Sequence, residues 1–371
     1  MNARKVIIDC DPGIDDALAL MLALSSPELD VLGITITSGN VSADKGAKNA
    51  LKILKWMDRT DIPVYLGERL PLVRDYVNAE DTHGEDGLGE SGYDVPAERS
   101  YREGAVRYLA DSLHHAASAS EPLSIIALGP MTNLARLIKD YPDSLAGLGE
   151  LVSMGGNYKS HGNCSPVAEY NYWCDPHAAN LVYEAFETHP LLSDKQIHMI
   201  GLDVTRKIVL TPNILEYICQ IDPSIGEIIT KITRFYFDFH WKQEQVIGCV
   251  INDPLAVAYF IDRSLCHGFS AYTAVETEGL CMGQTVVDAF DFWKKKKNSI
   301  VLTETDAFRF MCFFISRICH TDPAALLPVL QQIFVPPADQ RPLTPHPCPA
   351  PHGVPAPSAF CQPAAKEGLQ P

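Results

Sequence analysis

Apolar and polar positions in the first half of the chain alternate between two textures. Short apolar runs stop at turn residues, and longer stretches carry helical periodicity. Residues 6–8, Val-Ile-Ile, predict a short buried strand; Pro12 and Gly13 force a turn, and residues 17–24 continue as an apolar helix. A second strand over 31–37 ends at Ser38-Gly39-Asn40, ahead of an amphipathic helix over 43–57 and a short strand over 63–66. The alternation continues with a helix over 104–118 and a strand over 123–128. Gly129-Pro130-Met131-Thr132-Asn133 and another helix follow, then a strand over 151–154 that runs into Gly155-Gly156-Asn157. Asp175-Pro176 opens a helix reaching Phe186, with proline at its first position. This order predicts an α/β fold: an open, mostly parallel sheet flanked by helices, with a Rossmann-like core.

The texture changes after residue 200. Gly201-Leu202-Asp203-Val204-Thr205 reads as the end of a strand, helices are expected over 212–219 and 224–245, and Asn252-Asp253-Pro254 starts a short apolar helix. Residues 271–278 and 284–290 read as a small antiparallel extension. The lysines at 294–297 read as a solvated loop, and closing helices are expected over 307–319 and 322–334. Residues 68–100, rich in glycine and acids around His83-Gly84, lack periodicity, as active-site loops often do. From Pro336 onward the chain carries 11 of its 27 prolines. A single domain over 1–335 and a Pro-rich disordered tail over 336–371 are expected.

Composition narrows the setting. A mean hydropathy of -0.01 indicates a soluble globular chain, and no apolar run reaches membrane-spanning length. The residues ahead of the first strand leave no room for a signal peptide, so a cytoplasmic location is expected. The 11 cysteines show no paired metal-type spacing and read as reduced thiols. A formal net charge of -16 argues against a nucleic-acid or membrane partner.

Four carboxylates, Asp9, Asp11, Asp15 and Asp16, crowd the junction between the first strand and the first helix. In an open α/β sheet this is where ligands bind. Asp15 and Asp16 also suit a helix N-terminus. Asp9 and Asp11 have no such role, and a hard cation, Ca²⁺ or Mg²⁺, is the simplest resolution of the repulsion. Plainer readings exist for other positions: Asp253 as a helix N-cap before Pro254, Asn40 as a turn residue, Met154 as core, and the aromatics from Phe235 to Trp241 as core.

Residues 9–16 match in full the signature Asp-x-Asp-Pro-Gly-x-Asp-Asp. Gly39-Asn40, His83-Gly84, Gly129 to Asn133, Met154-Gly155-Gly156, Glu169-Tyr170-Asn171, Asp175-Pro176 and Asp253-Pro254 follow in order. On these motifs the chain resembles the nucleoside hydrolases, the inosine-uridine preferring N-ribohydrolase family, over about residues 4–335. The resemblance implies Ca²⁺-dependent hydrolysis of the N-glycosidic bond of ribonucleosides, and a homodimer or homotetramer. It implies that Asp11, Asp16, the Thr132 carbonyl and Asp253 bind Ca²⁺, with Asp11 as general base on a calcium-bound water. Asp15, Asn40, Asn163, Glu169 and Asn171 would reach the ribose, Met154 and Tyr170 would line its pocket, and His83 would sit near the nucleobase.

One departure bears on the chemistry. Many members of that family carry histidine just before the last ligand aspartate, as the group that protonates the leaving base; here the position is Asn252. An amide does not donate a proton at neutral pH. Three readings follow: proton supply by His83 or His240, base activation by stacking on Trp241, Phe239 or Tyr236, or slow or altered turnover. Asn252 could also bond a base edge. Two other classes compete: a riboside-binding protein of the same fold without turnover, and a Mg²⁺-dependent haloacid dehalogenase-type phosphohydrolase with Asp9 as phosphoryl acceptor.

Overall fold

The apolar run at the start of the chain forms β1, Arg4–Cys10, near the middle of a ten-stranded sheet. Its side chains alternate between two cores. Val6, Ile8 and Cys10 pack with the helices Ile14–Leu24 and Asp253–Ile261, while Ile7 joins Ala105–Ala119, Thr132–Asp140 and Pro176–Thr188 on the opposite face. Burial on both faces explains why these strands read as unbroken apolar runs.

This computed structural model describes residues 3–97 and 100–334, which belong to one compact unit ending at Phe334. The expected tail over 336–371 lies outside the described residues.

From β1 the sheet grows in both directions. β2, Leu29–Ile36, β3, Val64–Leu66, and β4, Arg102–Glu103, extend one side; β5, Leu123–Ala127, β6, Leu148–Met154, and β7, Ile197–Ile200, extend the other. All of these pairings are parallel. The strand order therefore reverses between β1 and β5, and a crevice opens there at the strands' C-terminal ends. A separate antiparallel pair joins β8, Val209–Leu210, to β9, Cys249–Val250, and β9 leads directly into Asn252 and Asp253. Beyond β7 the large sheet continues through β12, Ser299–Thr305, parallel to β7. β10, Cys266–Val275, and β11, Thr285–Asp288, complete it in antiparallel pairing.

The structure corrects several sequence expectations. The antiparallel extension exists, but β12, after the lysine run, was not anticipated. The strand expected to end within 201–205 stops at Ile200, because the Val204 and Thr205 amides fold back on the Gly201 carbonyl and make Leu202–Thr205 a helical turn. A short helix, Glu80–His83, lies within the stretch read as loop, and another, Tyr170–Cys174, precedes the helix that begins at Pro176. Asn252 rather than Asp253 holds the N-cap position, with Asp253 inside the first turn. Among the described residues no helix is long and apolar enough to cross a membrane. All nine described cysteines are free.

Candidate active site

Asp11 leaves the end of β1 into the switch-point crevice, and two glycines make room for it. A Cβ at Gly39 would lie 1.9 Å from Asp11 Oδ2, and one at Gly129 would lie 2.3 Å from Oδ1. Gly39 follows β2 and Gly129 follows β5, so the carboxylate is clasped between the loops of the two neighbouring strands. The Asn40 amide donates to Oδ2 at 2.6 Å. Oδ1 is buried and has no hydrogen-bond partner among the described residues.

Asp16 stands three residues into the helix start and accepts from the Gly13 amide at 3.0 Å, as an N-terminal capping acid does. The Asn40 side chain also donates to it, at 2.9 Å. Asp15, Asp16 and Asp253 form the tightest acidic group: one oxygen from each lies within 4.8 Å of the others, and all three residues are buried. Burial is the largest influence on Asp11, Asp16 and Asp253, and their mutual repulsion adds to it. Asp16 is pushed up to about 7, and Asp11 and Asp253 stand well above the usual carboxylate range. Converging buried carboxylates and an orphaned Asp11 oxygen form a hard oxygen donor set that fits a divalent cation. Asp16 and Asp253 belong both to this group and to the ligand set the resemblance implies. Thr132 is buried and turns its hydroxyl to Asp175 at 2.8 Å.

Asp9 plays a different part. Its Oδ1 accepts from Thr35 at 2.6 Å and Asn133 at 2.7 Å, and burial lifts it to about 6. It lies outside the acidic group and does not line the cavity described next, so it is no accessible phosphoryl acceptor.

A cavity of about 520 Å³ opens above the acids. Asp15, Asn40, His83, Met154, Asn163, Glu169, Tyr170, Asn171, Asn252 and Asp253 all line it. Several are committed to the scaffold as well. Glu169 caps Tyr170–Cys174, accepting from Asn171 and Gly156 at 2.8 Å, and burial raises it to about 7. Asn171 donates to the Leu128 carbonyl at 2.7 Å, and its amide nitrogen lies 3.3 Å from Met154 Sδ. Asn163 accepts from the Tyr170 amide at 2.9 Å. The Tyr170 hydroxyl lies 3.0 Å from both the Gly39 and Val77 carbonyls, tying the wall to the loop behind Asp11.

On the far wall, Tyr236 lies between two histidines, with ring centroids 5.2 Å from His83 and 4.4 Å from His240. The Ile14 amide donates to His83 Nδ1 at 3.0 Å, so a neutral His83 carries its proton on Nε2. His240 has the opposite tautomer, because its Nδ1 lies 3.0 Å from the Tyr236 carbonyl, which can only accept. Burial lowers both histidines below their ordinary range. Phe239 lines the cavity; Trp241, offered with it as a stacking group, is exposed and is not part of the lining.

Arg206 went unnoticed in the sequence. It donates to Ser160 Oγ at 2.7 Å and to the His161 and Gly162 carbonyls at 2.7 and 2.9 Å, and pairs with Glu244 at 3.3 Å. One guanidinium thus joins the loop carrying Asn163 to the end of the helix carrying Tyr236 and His240.

The profile of the inosine-uridine preferring nucleoside hydrolases matches residues 6–312. The chain belongs to the nucleoside hydrolase family. It is 34% identical over 319 residues to the pyrimidine-specific ribonucleoside hydrolase RihA of Escherichia coli, covering 85% of this chain and 98% of that protein. Among solved structures it is similar to a purine-preferring ribonucleoside hydrolase from Gardnerella vaginalis, with a TM-score of 0.77, 31% identity, and coverage of 85% of this chain and 98% of the other. The plant nucleoside hydrolase PpNRh1 superposes with a TM-score of 0.76 at 30% identity, covering 85% of this chain and 99% of its own. The first two relatives prefer opposite base classes. In this nucleoside hydrolase, Asn252 stands between the acids and the aromatic wall: its side-chain nitrogen donates to Asp15 Oδ2 at 3.1 Å.

Proposed function

We propose that this protein hydrolyses the N-glycosidic bond of ribonucleosides, releasing ribose and free base for nucleobase salvage. The whole described unit serves as one catalytic domain in the reducing cytoplasm. The observation that carries this reading is the Asp11 carboxylate, clasped by Gly39 and Gly129, with one buried oxygen unpartnered beside the converging acids.

A Ca²⁺ ion held by Asp11, Asp16, Asp253 and the Thr132 carbonyl would neutralise the cluster and polarise water. Asp11 takes the proton of the attacking water as its oxygen bonds to C1′ of the ribose. The C1′–N bond breaks and its electron pair leaves with the base. Positive charge developing on the sugar is met by the acidic floor. Asp15, Asn40, Asn163, Glu169 and Asn171 offer polar groups to the ribose hydroxyls.

His240 is the better proton source for the departing base. Its Nδ1–H bond to the Tyr236 carbonyl survives protonation, which leaves Nε2–H free to donate. Glu244 favours its charged form, while Asp15 favours the charged form of both histidines. His83 would lose the Ile14 amide bond on protonation, and it sits against the positive end of a helix.

The test is ribose release from inosine, adenosine, uridine and cytidine, with and without a Ca²⁺ chelator. Release abolished in Asp11→Ala supports the reading, and the fastest substrate assigns the base class. Riboside binding by calorimetry without release from any nucleoside overturns it in favour of a binding protein.

A further inference from the structure

The base end of the cavity is short of protons and rich in negative charge. Asn252 holds its side-chain nitrogen against Asp15 at 3.1 Å. An ionised carboxylate only accepts, so the amide cannot turn its oxygen to that partner. That oxygen, Oδ1, is buried and has no hydrogen-bond partner among the described residues. In place of a proton donor, the position presents an acceptor. Asp15, Asp81, Glu169, Glu244 and Asp253 all line the cavity. Among the described lining residues Arg206 is the sole arginine or lysine, and its guanidinium is engaged by Ser160, the His161 and Gly162 carbonyls and Glu244. The far wall adds aromatic faces: the Tyr236 and Phe239 rings lie 18° from parallel, with centroids 6.5 Å apart. Acids, an orphaned amide oxygen and ring faces all favour a flat cation.

We propose that this site also cleaves ribosides whose heterocycle already carries a positive charge, either N-ribosylpyridinium compounds or 7-alkylpurine ribosides. The proposal rests on the hydrolase reading above and extends its substrate class. In a neutral nucleoside the C1′–N electron pair leaves the base as an anion unless a proton is delivered to it. In a cationic riboside the same pair cancels the charge on the ring, and the base departs neutral. Water supplies the oxygen that bonds to C1′, its proton passes to Asp11, and no proton moves at the base. As the bond breaks, positive charge passes from the heterocycle to the sugar and stays within the acidic cavity.

His240 must be charged to serve a neutral nucleoside, yet burial holds it below its ordinary range. The groups facing it are Tyr236, Glu244, Asp15 and His83. A substrate that brings its own charge bypasses that requirement.

Ribose release by the Ca²⁺-loaded full chain from nicotinamide riboside and 7-methylguanosine, beside uridine, inosine and guanosine, tests this. Uncatalysed hydrolysis is subtracted. At about pH 8 at least one cationic riboside should exceed every neutral nucleoside in kcat/KM by about tenfold or more. The faster of the two assigns the ring, pyridinium or purine. Its advantage over uridine should grow by about tenfold from about pH 7 to about pH 8, because the protonated fraction of a histidine below its range falls by that factor. Asn252→His should lower kcat/KM for the cation and raise it for neutral nucleosides. Asp81 is exposed, and Asp81→Asn should raise KM for the cation several-fold more than KM for uridine. Cleavage of neutral nucleosides with neither cation turned over above background overturns the proposal and leaves the hydrolase reading standing. No ribose from any of the five overturns both. A cation-to-uridine ratio that is flat with pH and unmoved by Asn252→His also overturns the proposal, since it reports only the lability of the bond.

Discussion

The side-chain amide of Asn252 donates to Asp15 Oδ2 at 3.1 Å, and the Tyr236 hydroxyl lies 3.4 Å from the same oxygen. The asparagine at the position where the resemblance leads one to expect histidine therefore orients a carboxylate proposed to reach the ribose. Asn252→Ala should cost about 10- to 100-fold in kcat/KM, the worth of a hydrogen bond to a charged group. Asn252→Asp should cost more, by placing a like charge on Asp15. Steady-state kinetics on the best nucleoside measures both. An unchanged kcat/KM in Asn252→Ala would show that Asp15 needs no such support.

His240→Ala should lower kcat by about 10²–10⁴-fold on a natural nucleoside, the usual range for general acid catalysis. p-Nitrophenyl riboside releases p-nitrophenolate, a stable anion that needs no proton to leave, so the same variant should retain most of its activity on that substrate. Equal losses on both would remove the acid role.

Metal-free stability should fall as pH rises. Asp16 is raised from 3.8 and Glu169 from 4.5, each to about 7. Both hold a proton more tightly folded than unfolded. Their stabilising contribution is full below the unfolded values and is lost as pH passes through about 7. Ca²⁺ binds only the ionised carboxylates, so its affinity should rise with pH and its binding should release protons. Tm against pH, with chelator and with Ca²⁺, reads both effects; a flat chelated profile contradicts them.

Arg206→Ala should raise KM several-fold while changing kcat little, because it frees the loop carrying Asn163 from Glu244 without touching the acids. Arg206→Lys should not rescue it, since a single ammonium cannot span four oxygen acceptors at once. Kinetics and hydrogen exchange over residues 158–164 check the split.

Gly39→Ala should abolish activity in a chain that still folds, with the new methyl displacing Asp11 Oδ2. Circular dichroism alongside ribose release distinguishes this from simple unfolding.

Much of the fold was legible because its signals are local. Apolar runs gave way to helical periods through residue 186, and Pro12-Gly13 marked the turn that carries the acids. The later strands were harder. β12 sits beside four lysines that read as loop, and its place in the sheet depends on pairing with β7, some hundred residues earlier.

The candidate site was legible where one motif held several partners, as in residues 9–16 and 169–171. It was illegible where partners are far apart in the chain. Asn252 could be named as a departure, but its bond to Asp15 spans 237 positions. The opposite tautomers of His83 and His240 follow from backbone groups that only folding brings to each ring. Arg206 carried no motif at all.

The sequence by itself determined the alternating α/β order, the acidic junction and the membership those motifs announce, because strand, turn and helix preferences and signature spacings act over a few residues. Tertiary structure alone decided which oxygen of Asp11 stays unpartnered, which backbone group each histidine ring meets and which edge of the sheet displays its aromatics. Each depends on long-range packing, where distance in space is independent of distance along the chain.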